Sequence, residues 1–207
     1  MKHQVTRFKN LGIALKELER FVRHGRHLQS GKPFARLKMR SREALANWLL
    51  CVAGNYAYGA NRFTFSSDPN GGDGLITDAI TGETVSTEHV FVVGPHPGSD
   101  DPQPQDVEAQ IQQQIEKKQQ KGSAAYASGK TLVVFSNAVG WWNPNNLAKR
   151  LSEPLDFDAV WVVALNGVQN GEYAYNVTRL DLRRGNAPVW RVTIAPDFTS
   201  WRVEPVQ

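Results

Sequence analysis

Two short stretches, TLVVF at residues 131 to 135 and AVWVVAL at residues 159 to 165, are apolar at nearly every position. A strand with one face in water alternates polar and apolar residues, so an unbroken apolar strand needs cover on both sides. Runs this short and this rich in valine favour extended backbone over a buried helix. They are expected to be interior strands of a sheet with helices on its faces, which places the chain in the α/β class.

The remaining pattern supplies the other elements. Leu11, Leu15, Leu18 and Val22 recur at helical spacing and predict an amphipathic helix over residues 10 to 25, ended by HGRHLQSGKP. Leu45, Trp48, Leu49 and Val52 predict a core helix over 41 to 52, with Ser41 as its N-cap. Residues 62 to 66 alternate around Phe63 and Phe65, residues 74 to 80 read as a short strand, and 84 to 93 as a longer one. Thr81-Gly82 between the last two marks a tight hairpin. A proline-rich loop, GPHPGSDDPQPQ, then precedes a helix over 106 to 121 that stops at Gly122. WWNPNNLAKRL reads as a loop entering a helical turn, and residues 173 to 180 and 189 to 194 alternate as further strands.

A length of 207 residues favours one domain. With 41% hydrophobic and 21% charged residues, wholesale disorder is excluded. The single cysteine, Cys51, sits in the apolar run LLCVA, so a buried thiol in a reducing compartment is expected rather than a disulfide. MKHQVTRFKN lacks the apolar stretch of a secretory signal, and no later run approaches the ~20 apolar residues of a membrane span. A cytoplasmic protein without a membrane partner is the expectation.

Charge is unevenly spread. Residues 1 to 42 carry twelve Lys or Arg against Glu17 and Glu19, while the remaining 165 residues are net acidic. A basic segment on a mildly acidic body points to a polyanion partner, because phosphate contacts release counterions without reading sequence. Arg20, Arg23, Arg36, Lys38, Arg40 and Arg42 are the candidate nucleic-acid contacts. A solvated basic helix would give the same pattern.

The stretch GGDGLITDAITGETVSTEHV, residues 71 to 90, carries the chemistry. A hairpin turning on Thr81-Gly82 pairs Ile80 with Glu83, Leu75 with Glu88 and Asp73 with Val90. Asp73 and Glu88 are then diagonal neighbours on one face, while Asp78 and Glu83 lie elsewhere; a three-residue loop would reverse that parity. Two carboxylates on neighbouring strands are costly unless paired or metal-bound, so Mg²⁺ or Mn²⁺ is the expected cofactor. On the next helix Val107, Ile111 and Ile115 form the buried stripe, and at ~100° per residue Gln114 and Lys118 fall beside it. A lysine and a glutamine there reach for a charged partner, and the sheet carboxylates are the nearest candidates. His89, one residue from Glu88, is expected on the opposite face as a hydrogen-bonded structural histidine. Trp141 and Trp142 either stack on bases or pack down their loop.

Over residues 41 to 165 the chain resembles the PD-(D/E)XK nuclease superfamily, the restriction-endonuclease-like fold: a helix, three antiparallel strands with Asp in GDGLI and Glu in TEHV, a helix, and the buried strand TLVVF. The resemblance implies an αβββαβ core with a mixed central sheet, a basic N-terminal helical extension over 1 to 40 and a C-terminal β extension over 166 to 207. It implies metal ligation by Asp73, Glu88 and the main-chain carbonyl of His89, and phosphodiester hydrolysis of nucleic acid, with DNA expected. The family's lysine position holds Val90 here. Lys118 is then the replacement amine that orients the attacking water, with Gln114 as auxiliary. Without that replacement the reading becomes a non-catalytic nucleic-acid- or partner-binding module. The sequence leaves open whether a homodimer is the acting form.

Overall fold

A computed structural model of the chain describes residues 7–8, 10–94, 106–121, 124–138, 140–151 and 155–207. Its elements are β1 (Arg7–Phe8), α1 (Leu11–Arg23), α2 (Arg26–Ser30), β2 (Pro33–Phe34), β3 (Met39–Arg40), α3 (Ser41–Ala57), β4 (Phe63–Ser66), β5 (Leu75–Asp78), β6 (Thr84–Val92), α4 (Val107–Lys121), α5 (Ala124–Ala127), β7 (Lys130–Ser136), α6 (Pro144–Arg150), β8 (Ala159–Gln169), β9 (Glu172–Leu180), β10 (Val189–Ile194) and β11 (Trp201–Pro205). Among the described residues, nine strands form one mixed sheet in the order β1-β4-β5-β6-β7-β8-β9-β10-β11, and β2 pairs with β3 apart from it. The two apolar runs are β7 and β8, at the centre of that order. The β6–β7 and β7–β8 pairs are parallel and the other pairs antiparallel.

Alternation along the central strands divides the core into two layers. Val133, Phe135, Val163, Tyr175 and Val177 face α1 and α3, whereas Leu132, Val134, Val160, Val162 and Leu180 face α4 and α6. Both faces of β7 are therefore dry, which is why its sequence shows no polar alternation. Ala14, Leu15, Leu18, Phe21 and Val22 of α1 are buried, and the Trp48 indole of α3 donates to the Leu11 carbonyl at 2.9 Å. Asn10 caps α1, its side chain accepting from the Gly12 N–H at 2.8 Å. The basic N-terminal segment thus packs through its apolar stripe onto α3.

Helix α3 runs to Ala57, beyond the expected end at 52, and Arg40 rather than Ser41 holds its N-cap position. Glu43, three residues on, closes the cap from the Arg40 N–H at 2.7 Å, and the Ser41 hydroxyl donates to the His27 carbonyl instead. The first strand of the pattern, β4, is Phe63–Ser66 as expected. The segment read only as a helix stop contains α2, and β11 closes the sheet through a fully registered pairing with β10. The proline-rich loop falls, over residues 95 to 105, outside the described residues. Among the described residues no helix is long and apolar enough to cross a membrane.

The β5–β6 hairpin differs from the expected one. Its register is Leu75↔Ser86, Ile76↔Val85 and Thr77↔Thr84, two residues away from the pairing of Leu75 with Glu88. The loop is longer than Thr81-Gly82 alone, because the Asp78 carboxylate accepts from the Ile80 N–H at 2.9 Å and the Asp78 N–H donates to the Glu83 carbonyl at 2.9 Å. A shift of two preserves which residues share a face.

Candidate functional site

The registered pairing of β5 with β6 ends at Leu75↔Ser86, and just beyond it the charge of Glu88 acts on the Asp73 carboxylate. The Asp73 N–H donates to the Thr87 carbonyl at 3.2 Å, and the Thr87 N–H to the Gly74 carbonyl at 2.8 Å, so Asp73 and Gly74 together oppose Thr87, a bulge that ends the regular ladder. The Asp73 carboxylate accepts from the His89 N–H at 2.7 Å. N–H and C=O of one strand residue project to the same edge, so the His89 carbonyl leaves the strand on the Asp73 side.

Gly74 makes this turn possible. At φ +150 it occupies backbone that side chains rarely adopt, and a Cβ there would meet Asn47 Nδ2 at 2.3 Å and Met39 Cε at 2.9 Å. The Asn47 amide hydrogen-bonds the Asp73 carbonyl at 3.5 Å and lies 3.2 Å from His89 Nε2. His89 therefore sits on the α3 side of the sheet as a structural histidine. Burial pushes its pKa down to about 3.

Glu88 points to the α4 side and is 7% exposed. Lys118 Nζ reaches it from α4 at 3.1 Å, and Lys130 Nζ, from the start of β7, at 3.1 Å on its other oxygen. Tyr126 interacts electrostatically with both Glu88 and Lys118, and its ring lies 4.1 Å from Lys130 Nζ and 5.4 Å from Lys118 Nζ. Two amines and a phenol thus converge on one carboxylate. Val90, two residues on, faces the same side but packs into the apolar layer beneath α4.

The two carboxylates are held in different electrostatic states. Burial on its own would raise Glu88, but Tyr126, Lys118 and Lys130 outweigh it and pull its pKa below the usual range. Burial and the charge of Glu88 raise Asp73 above its usual range, against the His89 N–H, Lys118 and Arg40. Lys118 is raised: the Tyr126 and Glu88 contacts exceed the lowering effect of burial.

Gln114, one turn before Lys118, is half-buried, and no hydrogen bond joins it to either carboxylate among the described residues. The basic residues divide into two groups. Arg20, Arg23 and Arg36 line a hollow of ≈590 Å³ over α1, where Arg23 pairs with Glu19 at 2.8 Å and Arg36 pairs with Glu17. Lys38 and Arg40 are exposed just before α3, and Arg40 and Arg42 act electrostatically on Asp73. Arg42 is also a packing residue, donating to the Gln29 carbonyl at 3.2 Å and standing 4.8 Å over the Phe91 ring. Burial lowers its pKa.

Lys130 and Tyr126 escaped the sequence reading. A charged residue opening an otherwise apolar strand was the available signal for Lys130, since the parallel register Ser86↔Lys130 and Glu88↔Leu132 makes it a diagonal neighbour of Glu88. Nothing comparable marks Tyr126. Among the described residues no group of three or more His, Cys, Asp or Glu forms a metal cluster, so a cation here would rest on two carboxylates and main-chain oxygen. Two hollows, of ≈660 and ≈630 Å³, lie away from this cluster, at the Trp141 loop and beside Arg179 and Asp181. Compared with models of protein families, with curated proteins and with solved structures, the chain finds no match.

Proposed function

We propose that this chain is a metal-dependent nuclease that hydrolyses phosphodiester bonds of nucleic acid, with DNA the expected substrate, on a restriction-endonuclease-like core. One observation carries the reading: the Asp73 carboxylate, held by the His89 N–H at 2.7 Å, stands near enough to Glu88 for their charges to interact, while the Lys118 amine arrives 3.1 Å from Glu88. The succession α3, β4, β5, β6, α4, β7, with a meander followed by a parallel strand, supports it as the αβββαβ order of that family.

The donors suit a hard cation. Two carboxylates and a main-chain carbonyl are the oxygen ligands that Mg²⁺ and Mn²⁺ take. Asp73 is a raised, partly buried carboxyl with no ion-pair partner among the described residues, which is the state a bound cation would relieve. Held by Asp73, Glu88 and the His89 carbonyl, such an ion supplies Lewis acidity toward water and a phosphate oxygen.

The chain's own groups do the rest. The His89 N–H fixes the Asp73 carboxylate, and Glu88 fixes the two amines. Lys118 orients the nucleophile and screens charge that develops on the phosphate, Lys130 adds a second positive centre, and Tyr126 limits the freedom of both. Gln114 is an auxiliary polar group on the same helix. Lys38 and Arg40 offer phosphate contacts that position the substrate without reading bases, with Arg20, Arg23, Arg36 and Arg42 more fully committed to the protein's own structure.

A second reading, a non-catalytic nucleic-acid-binding module on the same core, draws on the ion pairs at both Glu88 oxygens and on Val90. Cleavage of plasmid and single-stranded substrates with Mg²⁺ or Mn²⁺ separates the two. Wild type should cut, and Asp73→Ala, Glu88→Ala and Lys118→Ala should each lose on the order of 100-fold or more. Equal residual activity in all four proteins would remove the enzyme, and salt-sensitive binding without cutting would leave the module.

A further inference from the structure

At the end of α4 opposite Lys118, the same face of the sheet opens into a hollow of ≈660 Å³. It lies where β7 ends at Ser136, and crevices at the carboxyl ends of parallel strands are where open α/β sheets take ligands. Among the described residues no side chain lining it carries a charge; Trp141, Trp142, Asn137, Asn166, Asn176 and Thr178 supply its aromatic and polar surface. Such a wall offers little to a phosphate or a carboxylate and suits a neutral ring.

Two features show that the hollow is unfinished without an occupant. Trp141 is 83% exposed, a large aromatic surface left in water beside amides. Asn176 Oδ1 is buried and has no hydrogen-bond partner among the described residues, although its amide nitrogen donates to Asn166 Oδ1 at 3.3 Å. The platform is also anchored. Two residues after Trp141, the Asn143 N–H donates to buried Glu108 at 3.1 Å and the Asn143 side chain caps α6.

We infer that this hollow binds one unstacked nucleobase of a single-stranded segment, with the Trp141 indole against its face and the Asn176 and Asn166 amides against its polar edge. Choosing a base over another neutral ring rests on the proposed function, since the chemistry alone, aromatic face plus amides, also suits a sugar. Stacking of this kind tolerates any base, and the amides add preference among them.

The test measures binding of the full chain, in EDTA so that nothing is cut, to a short single-stranded oligonucleotide carrying a single base on an otherwise abasic backbone and to a wholly abasic one of equal length. The base-bearing strand should bind roughly 5- to 100-fold more tightly, the range that one stacked base contributes. Trp141→Ala should erase that difference and leave abasic affinity unchanged, and Asn176→Ala should reduce it. Equal affinity for the two strands, or an undiminished difference in the Trp141 variant, overturns the assignment, as does Trp141-dependent binding of a neutral oligosaccharide with no base-dependent binding. Base-dependent binding by a chain that cuts nothing would retain this site and discard the catalysis; cutting without base dependence would do the reverse.

Discussion

The Lys118 ammonium, carried on a helix, lies 3.1 Å from the Glu88 carboxylate on the sheet beneath it. With Lys130 at 3.1 Å on the other oxygen, one 7% exposed carboxylate is shared by two amines drawn from elements on either side of it. Removing the carboxylate leaves both amines partly buried and unpaired, which costs more than the pairs contribute.

Glu88→Gln should therefore lower unfolding free energy by about 2 kcal/mol at neutral pH, less than a fully buried pair because both lysines retain some exposure. The pH dependence has a definite sign. The folded carboxyl titrates below its unfolded value of about 4.3, so its stabilisation is whole above that value and is lost as pH falls through the lower folded one. The gap between the two proteins in urea unfolding should begin to narrow as pH falls below about 4.3 and close once pH has passed below the folded value. A gap that persists undiminished in acid would show that the ion pairs are not its source.

Asp73→Asn should behave in the opposite way. The folded Asp73 carboxyl is raised, so its charge at neutral pH opposes folding, and that penalty disappears as pH falls below the unfolded value of about 3.9. The asparagine carbonyl can still accept from the His89 N–H. The variant should be at least as stable as wild type without divalent cations, yet lose the rise in melting temperature that Mn²⁺ gives to wild type, worth ~2.7 kcal/mol at a hundred times Kd. A variant that melts lower without metal and still responds to Mn²⁺ would disqualify Asp73 as a ligand.

The central sheet was legible because TLVVF and AVWVVAL admit few environments, and the helical wheel of α4 located Lys118 because a charge beside Val107, Ile111 and Ile115 needs a partner. That Asp73 comes near Glu88 was legible only through parity, and the bulge at Asp73 and Gly74 was not legible at all. The hairpin register was not, since Asp78 uses its side chain to organise a longer loop that Thr81-Gly82 does not announce. Lys130 became visible once β7 was known to run parallel beside β6, a tertiary fact. Whether an arginine is solvated or spoken for is equally tertiary: Arg36 ends on Glu17, nineteen residues away. β11 was missed because its sequence, Trp201 to Pro205, alternates arginine and glutamate at the sheet's edge, where charge is tolerated.

His89 should make wild type sensitive to mild acid. Its folded pKa of about 3 lies below the unfolded value of about 6.5, so the unfolded chain takes up a proton first and stability falls as pH drops from 6.5 toward 3. Between pH 7 and 5.5 the loss from this group is about 1 kcal/mol. His89→Gln, which can keep a hydrogen bond to Asn47, should flatten that part of the profile in urea titrations. An identical slope in both proteins would assign the acid sensitivity to another group.

Gly74→Ala tests whether the backbone beside Asp73 positions the site. The added methyl would stand 2.3 Å from Asn47 Nδ2 and 2.9 Å from Met39 Cε, on backbone at φ +150. Neither neighbour retreats freely: the Asn47 amide is tied to the Asp73 carbonyl and to His89, and Met39 is 7% exposed. Relief must come from the strand end itself, which carries Asp73 with it. We expect a loss of about 2 kcal/mol in stability and, because a displacement near 1 Å costs on the order of 100-fold in rate, a matching loss of cleavage. Gly71→Ala, at φ +88 with open space around the new methyl, serves as the control: it should share the backbone strain without the displacement and keep most of its activity. Equal loss of cleavage in the two variants would mean that strain, not the close approach to Asn47, governs the placement of Asp73.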